Sequence, residues 1–182
     1  MFRMAFIEME HATISILSDT VNSCHSVMEN DIRQIPGFLF VDHVAIAVQP
    51  GELEAHLTVY RSLGFREIHR EDVLGTDQVR EVLLQVGDGP DLVQLLEPLN
   101  SDSPVSKQLE KNSGRAGFAH IAFRVEDIHR TFEYMKQNGF RIIDKAPRKG
   151  SRGTTVFFVH PKTAGTLAFG YLMEVVQQED PS

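Results

Sequence analysis

Phe118-Ala119-His120-Ile121-Ala122-Phe123-Arg124-Val125 is the second writing of a pattern the chain has already used as Val41-Asp42-His43-Val44-Ala45-Ile46-Ala47-Val48. Each stretch alternates as a strand does and carries one His at the same place. The segments after the two strands match as well: a charged turn, an amphipathic stretch and a glycine, in Leu63-Gly64-Phe65-Arg66-Glu67-Ile68 and again in Asn138-Gly139-Phe140-Arg141-Ile142-Ile143. A repeat of this size decides the fold, because each copy is one supersecondary unit. It also makes the two histidines a pair.

In the first copy, alternation puts His43, Ala45 and Ala47 on one face of the strand at 41–48 and Val44, Ile46 and Val48 on the other. The small residues leave room above the His, and the branched ones suit a helix. Residues 51–63 supply that helix, with Leu53, Leu57 and Tyr60 at helical spacing and Gly64 as the C-terminal cap. Strands are expected near 66–71, 80–86 and 92–97, the last two joined by the hairpin turn Gly87-Asp88-Gly89-Pro90. The unit is βαβββ. Ser103-Pro104 then reads as a helix start, with Ser103 as cap and Pro104 in the first turn, and the helix runs to about Lys111. The second copy repeats the plan: a strand at 118–125, a helix over 127–138 with Ile128, Phe132 and Met135 on one side, and strands near 141–144, 154–160 and 171–176.

This gives an N-terminal extension over 1–37, a single domain over 38–177 and a polar tail over 178–182. Within the domain, module one is 38–100, the linker helix lies in 101–116, and module two is 117–177. In the extension, 4–17 reads as extended and 19–32 as a helix with Val21, Cys24, Met28 and Ile32 on one side.

At 182 residues, 42% hydrophobic and 24% charged, the composition is that of a globular chain with one good core. A net charge of −7 without a long run of one sign argues against general nucleic-acid or membrane-surface binding. No stretch approaches the length of a membrane span. The single Cys24 excludes an internal disulfide framework and a thiolate metal cluster, and with no secretory pattern the cytoplasm is the expected compartment.

The last strand of each copy carries one polar residue in an apolar setting: Gln94 between Val93 and Leu95, and Glu174 between Met173 and Val175. Gln94 lies 51 positions after His43, and Glu174 lies 54 after His120. If the copies pack about a pseudo-twofold axis, His43, Gln94, His120 and Glu174 converge. Two imidazoles, an amide oxygen and a carboxylate suit a divalent metal with positions left for water or substrate oxygens. With one anionic ligand the ion stays net positive, as polarising a carbonyl requires. Singly, a strand His is more often structural, a strand Gln faces solvent, and a Glu near a chain end is solvated. Their matching places make the joint reading the stronger one.

Glu81 sits on a strand face with Val79 and Leu83, beside the apolar run Val82-Leu83-Leu84. On the concave side of a sheet its pKa rises toward that of a general base near neutral pH. The alternative, and the stronger reading without the metal argument, is a rim carboxylate paired with Arg80 or another basic residue.

Several segments resemble the vicinal oxygen chelate superfamily, and within it the methylmalonyl-CoA epimerases. They are Asp42-His43-Val44-Ala45, Gln94-Leu95-Leu96-Glu97-Pro98-Leu99, Asp102-Ser103-Pro104-Val105, the run from Gly117 to Phe123, and Phe158-Val159-His160-Pro161-Lys162. The resemblance implies an α+β fold: two tandem βαβββ modules form an incomplete eight-stranded barrel around a metal site. It implies His43, Gln94, His120 and Glu174 as ligands of Co²⁺, Ni²⁺, Mn²⁺, Mg²⁺ or Zn²⁺. It further implies an epimerase acting by α-proton abstraction and return on a methylmalonyl-CoA-like thioester. Glu81 and Glu174 would be the catalytic carboxylates on opposite faces of the α-carbon. A CoA substrate needs cations for its phosphates, and 141–162 holds Arg141, Lys145, Arg148, Lys149, Arg152 and Lys162 against Asp144 alone. Arg148, Lys149, Arg152 and Lys162 are therefore candidate substrate-binding residues, with a solvated basic loop as the alternative. A homodimer is expected.

The extension over 1–37, the longer segment 164–171 before Glu174, and Ala119 in place of a His that often precedes the ligand depart from that family pattern. The other functions open to the scaffold are a glyoxalase I-like lyase, an Fe-dependent dioxygenase using His43, His120 and Glu174, and a non-catalytic ligand-binding or resistance protein.

Overall fold

The repeat becomes two runs of strands that meet back to back in one curled sheet. The computed structural model describes residues 37–162 and 169–178, so the elements expected within 1–36, most of the segment 164–171 and the end of the tail lie outside the described residues. The elements are β1 (Phe38–Ala47), α1 (Leu53–Ser62), β2 (Arg66–Val73), β3 (Val79–Gln85), β4 (Leu92–Pro98), α2 (Pro104–Lys111), β5 (Gly117–Val125), α3 (Ile128–Gln137), β6 (Arg148–Lys149), β7 (Thr154–Val159) and β8 (Leu172–Gln178). The eight strands run β2-β3-β4-β1-β5-β8-β7-β6 and curl into a half-barrel, the expected α+β architecture. Among the described residues no helix is long and apolar enough to cross a membrane.

Each first strand pairs in parallel with the last strand of its own module, β1 with β4 and β5 with β8, while β1 and β5 pair antiparallel at the centre. The convex face is closed by helices. Leu53 and Leu57 of α1 pack on Val48, Val82, Leu84 and Leu95. Ile128, Phe132 and Met135 of α3 pack on Phe157, Val159 and Val175. The polar residues of interest alternate with these and face the concave side.

Both modules end their helix in the same way. Gly64 takes φ +87°, its N–H bonds Arg61 O at 3.0 Å, and Phe65 N–H reaches back to Tyr60 O at 3.2 Å. Gly139 at φ +78° does the same with Lys136, and Phe140 N–H bonds Met135 O at 3.0 Å. This is the Schellman arrangement, and Tyr60 and Phe65 complete it with an edge contact at 5.2 Å. At the linker, Ser103 Oγ accepts from Val105 N–H at 3.2 Å with Pro104 in the first turn, as the sequence reads.

One expected strand is corrected. Residues 141–144 form only a single bridge, Ile142 to Val159. The ladder stops there because the carboxylate of Asp144 takes the N–H of Phe158 at 2.6 Å, the donor a continuing strand would use. The two-residue β6 then pairs with β7 instead.

Two irregularities of register re-aim side chains toward the concave face. Between Val41 and His43, β1 gains one residue on β5, leaving Asp42 as the extra residue of a bulge. Between Glu67 and His69, β2 gains one residue on β3, leaving Ile68 extra.

Candidate active site

The central ladder sets the site. His43 lies opposite Ala122, and Ala45 lies opposite His120. Gln94 pairs with Ala45, and Glu174 pairs with Ala122. Each imidazole therefore stands beside an alanine of the other module, and each alanine leaves the volume an imidazole needs. The four side chains are buried and line one concave cavity of about 560 Å³, within the range of small-molecule sites.

His43 Nε2 and His120 Nε2 are 3.1 Å apart. Both reach Glu174 Oε2, at 3.1 and 2.9 Å. Phe158 holds the His120 ring edge-on at 5.5 Å. His43 Nδ1 is 2.8 Å from Asp42 Oδ1. Asp42, buried, also accepts from Arg152 Nη2 at 2.8 Å and from the Arg124 guanidinium, whose Nε lies at 2.9 Å. Gln94 Nε2–H donates to Glu81 Oε2 at 2.9 Å. Among the described residues, Gln94 Oε1, Glu81 Oε1 and Arg152 Nε are buried without a hydrogen-bond partner.

Electrostatics divides the acids. Burial of Glu81 pushes its carboxyl up; hydrogen bonding to Ser151 opposes this, and the charge of Glu174 adds to it. Burial also works to raise Glu174, but hydrogen bonds and charge from His120 and His43 win and hold it well below the usual carboxylate range. Burial lowers His120, against the pull of Glu174. Asp42 is held low despite its burial by His43, Arg152 and Arg124.

The residues present fit a divalent cation. The nearest ligand atoms of His43, His120 and Glu174 lie within 4.8 Å of one another, and the unpartnered Gln94 Oε1 supplies a buried oxygen that no other described residue satisfies. Asp42 bonds the remaining nitrogen of His43, as an orienting carboxylate does behind a metal-bound imidazole.

The basic residues separate. Arg148 and Arg152 line the cavity, whereas Lys149 and Lys162 are exposed and do not. Arg148 grips Asp77 with two bonds of 2.9 and 2.8 Å and Asp144 with a third of 2.9 Å. Arg124 is committed to Asp42. Lys107 and Lys111 of α2, which sequence reading did not single out, stand on the cavity wall. Asp42 was also missed, because strict alternation would point it away from His43.

The family model described as the Glyoxalase/Bleomycin resistance protein/Dioxygenase superfamily matches residues 42–158. The chain is 31% identical over 137 residues to the mitochondrial methylmalonyl-CoA epimerase of Bos taurus, covering 75% of this chain and 73% of the relative. It is 33% identical over 123 residues to an ethylmalonyl-CoA/methylmalonyl-CoA epimerase of Cereibacter sphaeroides, covering 67% and 88%. The crystal structure of methylmalonyl-CoA epimerase from Mycobacterium tuberculosis superposes with a TM-score of 0.70 at 30% identity, covering 79% of this chain and 90% of that one. A Streptomyces coelicolor methylmalonyl-CoA epimerase variant in complex with 2-nitronate-propionyl-CoA also superposes with a TM-score of 0.70, at 34% identity, covering 79% and 100%.

Proposed function

This chain belongs to the Glyoxalase/Bleomycin resistance protein/Dioxygenase superfamily, and from that premise we propose that residues 38–177 are one catalytic domain: a metal-dependent epimerase of a methylmalonyl-CoA-like thioester. The observation that carries the reading is the pair of cavity carboxylates driven in opposite directions, Glu81 up and Glu174 down. Two acids whose surroundings separate their pKa values divide the acid and base roles.

His43, Gln94, His120 and Glu174 would hold the cation, which when bound supplies Lewis-acid polarisation of the thioester carbonyl and of charge developing next to it. The protein's own groups do the rest. Glu81 takes the proton from the α-carbon or returns it, its raised pKa bringing it nearer to a carbon acid. Glu174 serves the opposite face. Gln94 Nε2–H steadies Glu81 Oε2 and leaves Oε1 free for the proton. Leu96, Val105 and Phe158 on the cavity wall exclude water from the enolate. Arg148 and Arg152, with Lys149 and Lys162 outside the cavity, are the proposed contacts for the anionic parts of the substrate. The similarity to a structure holding an acyl-CoA analogue supports that substrate class.

A dioxygenase would use His43, His120 and Glu174 alone and leave Gln94 a spectator. The orphaned oxygen of Gln94 and the buried Glu81 favour the epimerase. The test is exchange of the α-proton of methylmalonyl-CoA with solvent deuterium by Co²⁺-loaded protein. Exchange is expected, and Glu81→Gln is expected to slow it by about 10²–10⁴-fold, the usual contribution of a general base. No exchange with any of several divalent metals would refute the substrate, and an undiminished rate in Glu81→Gln would refute the base.

A further inference from the structure

Glu81 is buried, yet a base that takes a proton in each turnover must lose it again. Toward the cavity, Gln94 holds Glu81 Oε2 and Ser151 also bonds the carboxylate, while Oε1 has no hydrogen-bond partner among the described residues. Behind Glu81, on the edge strand β2, stand His69 and Glu71. His69 Nε2 is 3.7 Å from Glu81 Oε1 and 3.1 Å from Glu71 Oε2. Side-chain exposure climbs along this line, 5% at Glu81, 28% at His69 and 43% at Glu71. Neither His69 nor Glu71 lines the cavity.

The placement comes from the bulge at Ile68. Beyond it His69 pairs with Leu83, Arg70 with Val82 and Glu71 with Glu81, so His69 and Glu71 share the face of Glu81. In unbroken register Arg70 would lie opposite Glu81, and a guanidinium there would hold it ionised and low. The bulge instead sends Arg70 to the other face, where it bonds Glu54 and Glu67. A bulge re-aims side chains in this way.

We infer that His69, steadied by Glu71, is the proton outlet of Glu81, a positioning residue that reconnects the buried base to solvent. The inference rests on the reading of Glu81 as the base. Glu81 Oε1 gains the substrate proton as the C–H bond breaks, its electron pair staying on the substrate. His69 Nε2–H, which faces Glu71 Oε2 at 3.1 Å, passes its proton to that carboxylate, and the freed Nε2 accepts the proton of Glu81 Oε1. Glu71, the most exposed of the three, releases its proton to water, and the reverse path brings a solvent proton in. The 3.7 Å gap exceeds a hydrogen bond, so a small ring rotation or one bridging water completes the transfer.

The test compares first-turnover and steady-state epimerisation by the full, Co²⁺-loaded chain in wild type, His69→Ala and Glu71→Gln. With His69→Ala the first turnover is expected to proceed at the wild-type rate, because Glu81 is intact. Steady-state turnover is expected to fall at least about tenfold, the low side of acid–base contributions, and added imidazole is expected to restore it. Glu71→Gln should lower only the steady state, and by less. Equal loss in both phases without rescue, or no loss in either, would overturn the outlet while leaving the epimerase reading intact. A wild-type protein silent in both phases would overturn the function and the outlet together.

Discussion

His43 carries a proton between two carboxylates in the metal-free protein. Burial opposes that charge, but hydrogen bonds with Asp42 and Glu174 overcome it and push the pKa up to about 9, from an ordinary 6.5. The stabilisation from this proton is therefore complete below pH 6.5 and is lost as pH rises through about 9. A cation at the site must displace the proton, so affinity for Co²⁺ is expected to rise about tenfold per pH unit up to that value. Calorimetric titration in buffers of different ionisation heat would register the proton released, and a flat profile would refute the site. At this scale the four proposed ligands were legible because the chain writes its pattern twice: Gln94 and Glu174 declare themselves by position rather than by type. Asp42 and His69 were not legible, since both owe their direction to a bulge and a bulge breaks the alternation from which strand faces are read.

Within single elements the sequence is dense with assignments. In β4, Gln94 faces the cavity, Leu95 lies under α1, Leu96 packs toward α2, and buried Glu97 accepts the N–H of Gly51 at 2.8 Å and of Leu53 at 3.3 Å. Glu97 thus caps α1 from a neighbouring strand, which explains why Glu52 at the N-cap makes no side-chain capping bond. Alternation in the sequence shows the faces, but a cap supplied from 44 residues away in the chain appears only once β4 is seen beside α1. The helix ends were plain for the opposite reason, as Gly64 and Gly139 act on their own turns. A Cβ at Gly64 would meet nothing within 4 Å, so Gly64→Ala isolates the conformational cost of φ +87°. Destabilisation of roughly 1–2 kcal/mol is expected, with an unchanged urea m-value and unchanged metal content; no shift in the urea midpoint would contradict the cap. The missing strand at 141–144 is the converse lesson. Arg141-Ile142-Ile143 has strand composition, but Asp144 spends the donor that a ladder needs.

Across the whole molecule, Arg148 ties module two to module one through Asp77, while Asp144 and the Phe158 ring, at 5.5 Å, hold it from its own side. A local excess of positive charge cannot distinguish an internal clasp from a phosphate contact, so the sequence marked the residue without its bond. Arg148→Met is expected to cost about 1.5–3 kcal/mol, the worth of a hydrogen bond to a charged group, with His43, His120 and Glu174 still binding metal. Thermal unfolding and metal analysis of the variant would check both halves of that expectation. The checkerboard of His43, Ala122, Ala45 and His120 has one more effect. Its backbone frame is nearly indifferent to a half-turn about the seam, so by itself it would accept a chelating ligand in two equivalent poses. An amide at Gln94 against a carboxylate at Glu174 breaks that degeneracy: one pose sets the ligand's own negative charge beside a neutral group, and the other sets it beside a fixed anion. The pose of such a ligand thus begins with a one-atom difference between the side chains of Gln94 and Glu174, nitrogen in one where the other has oxygen.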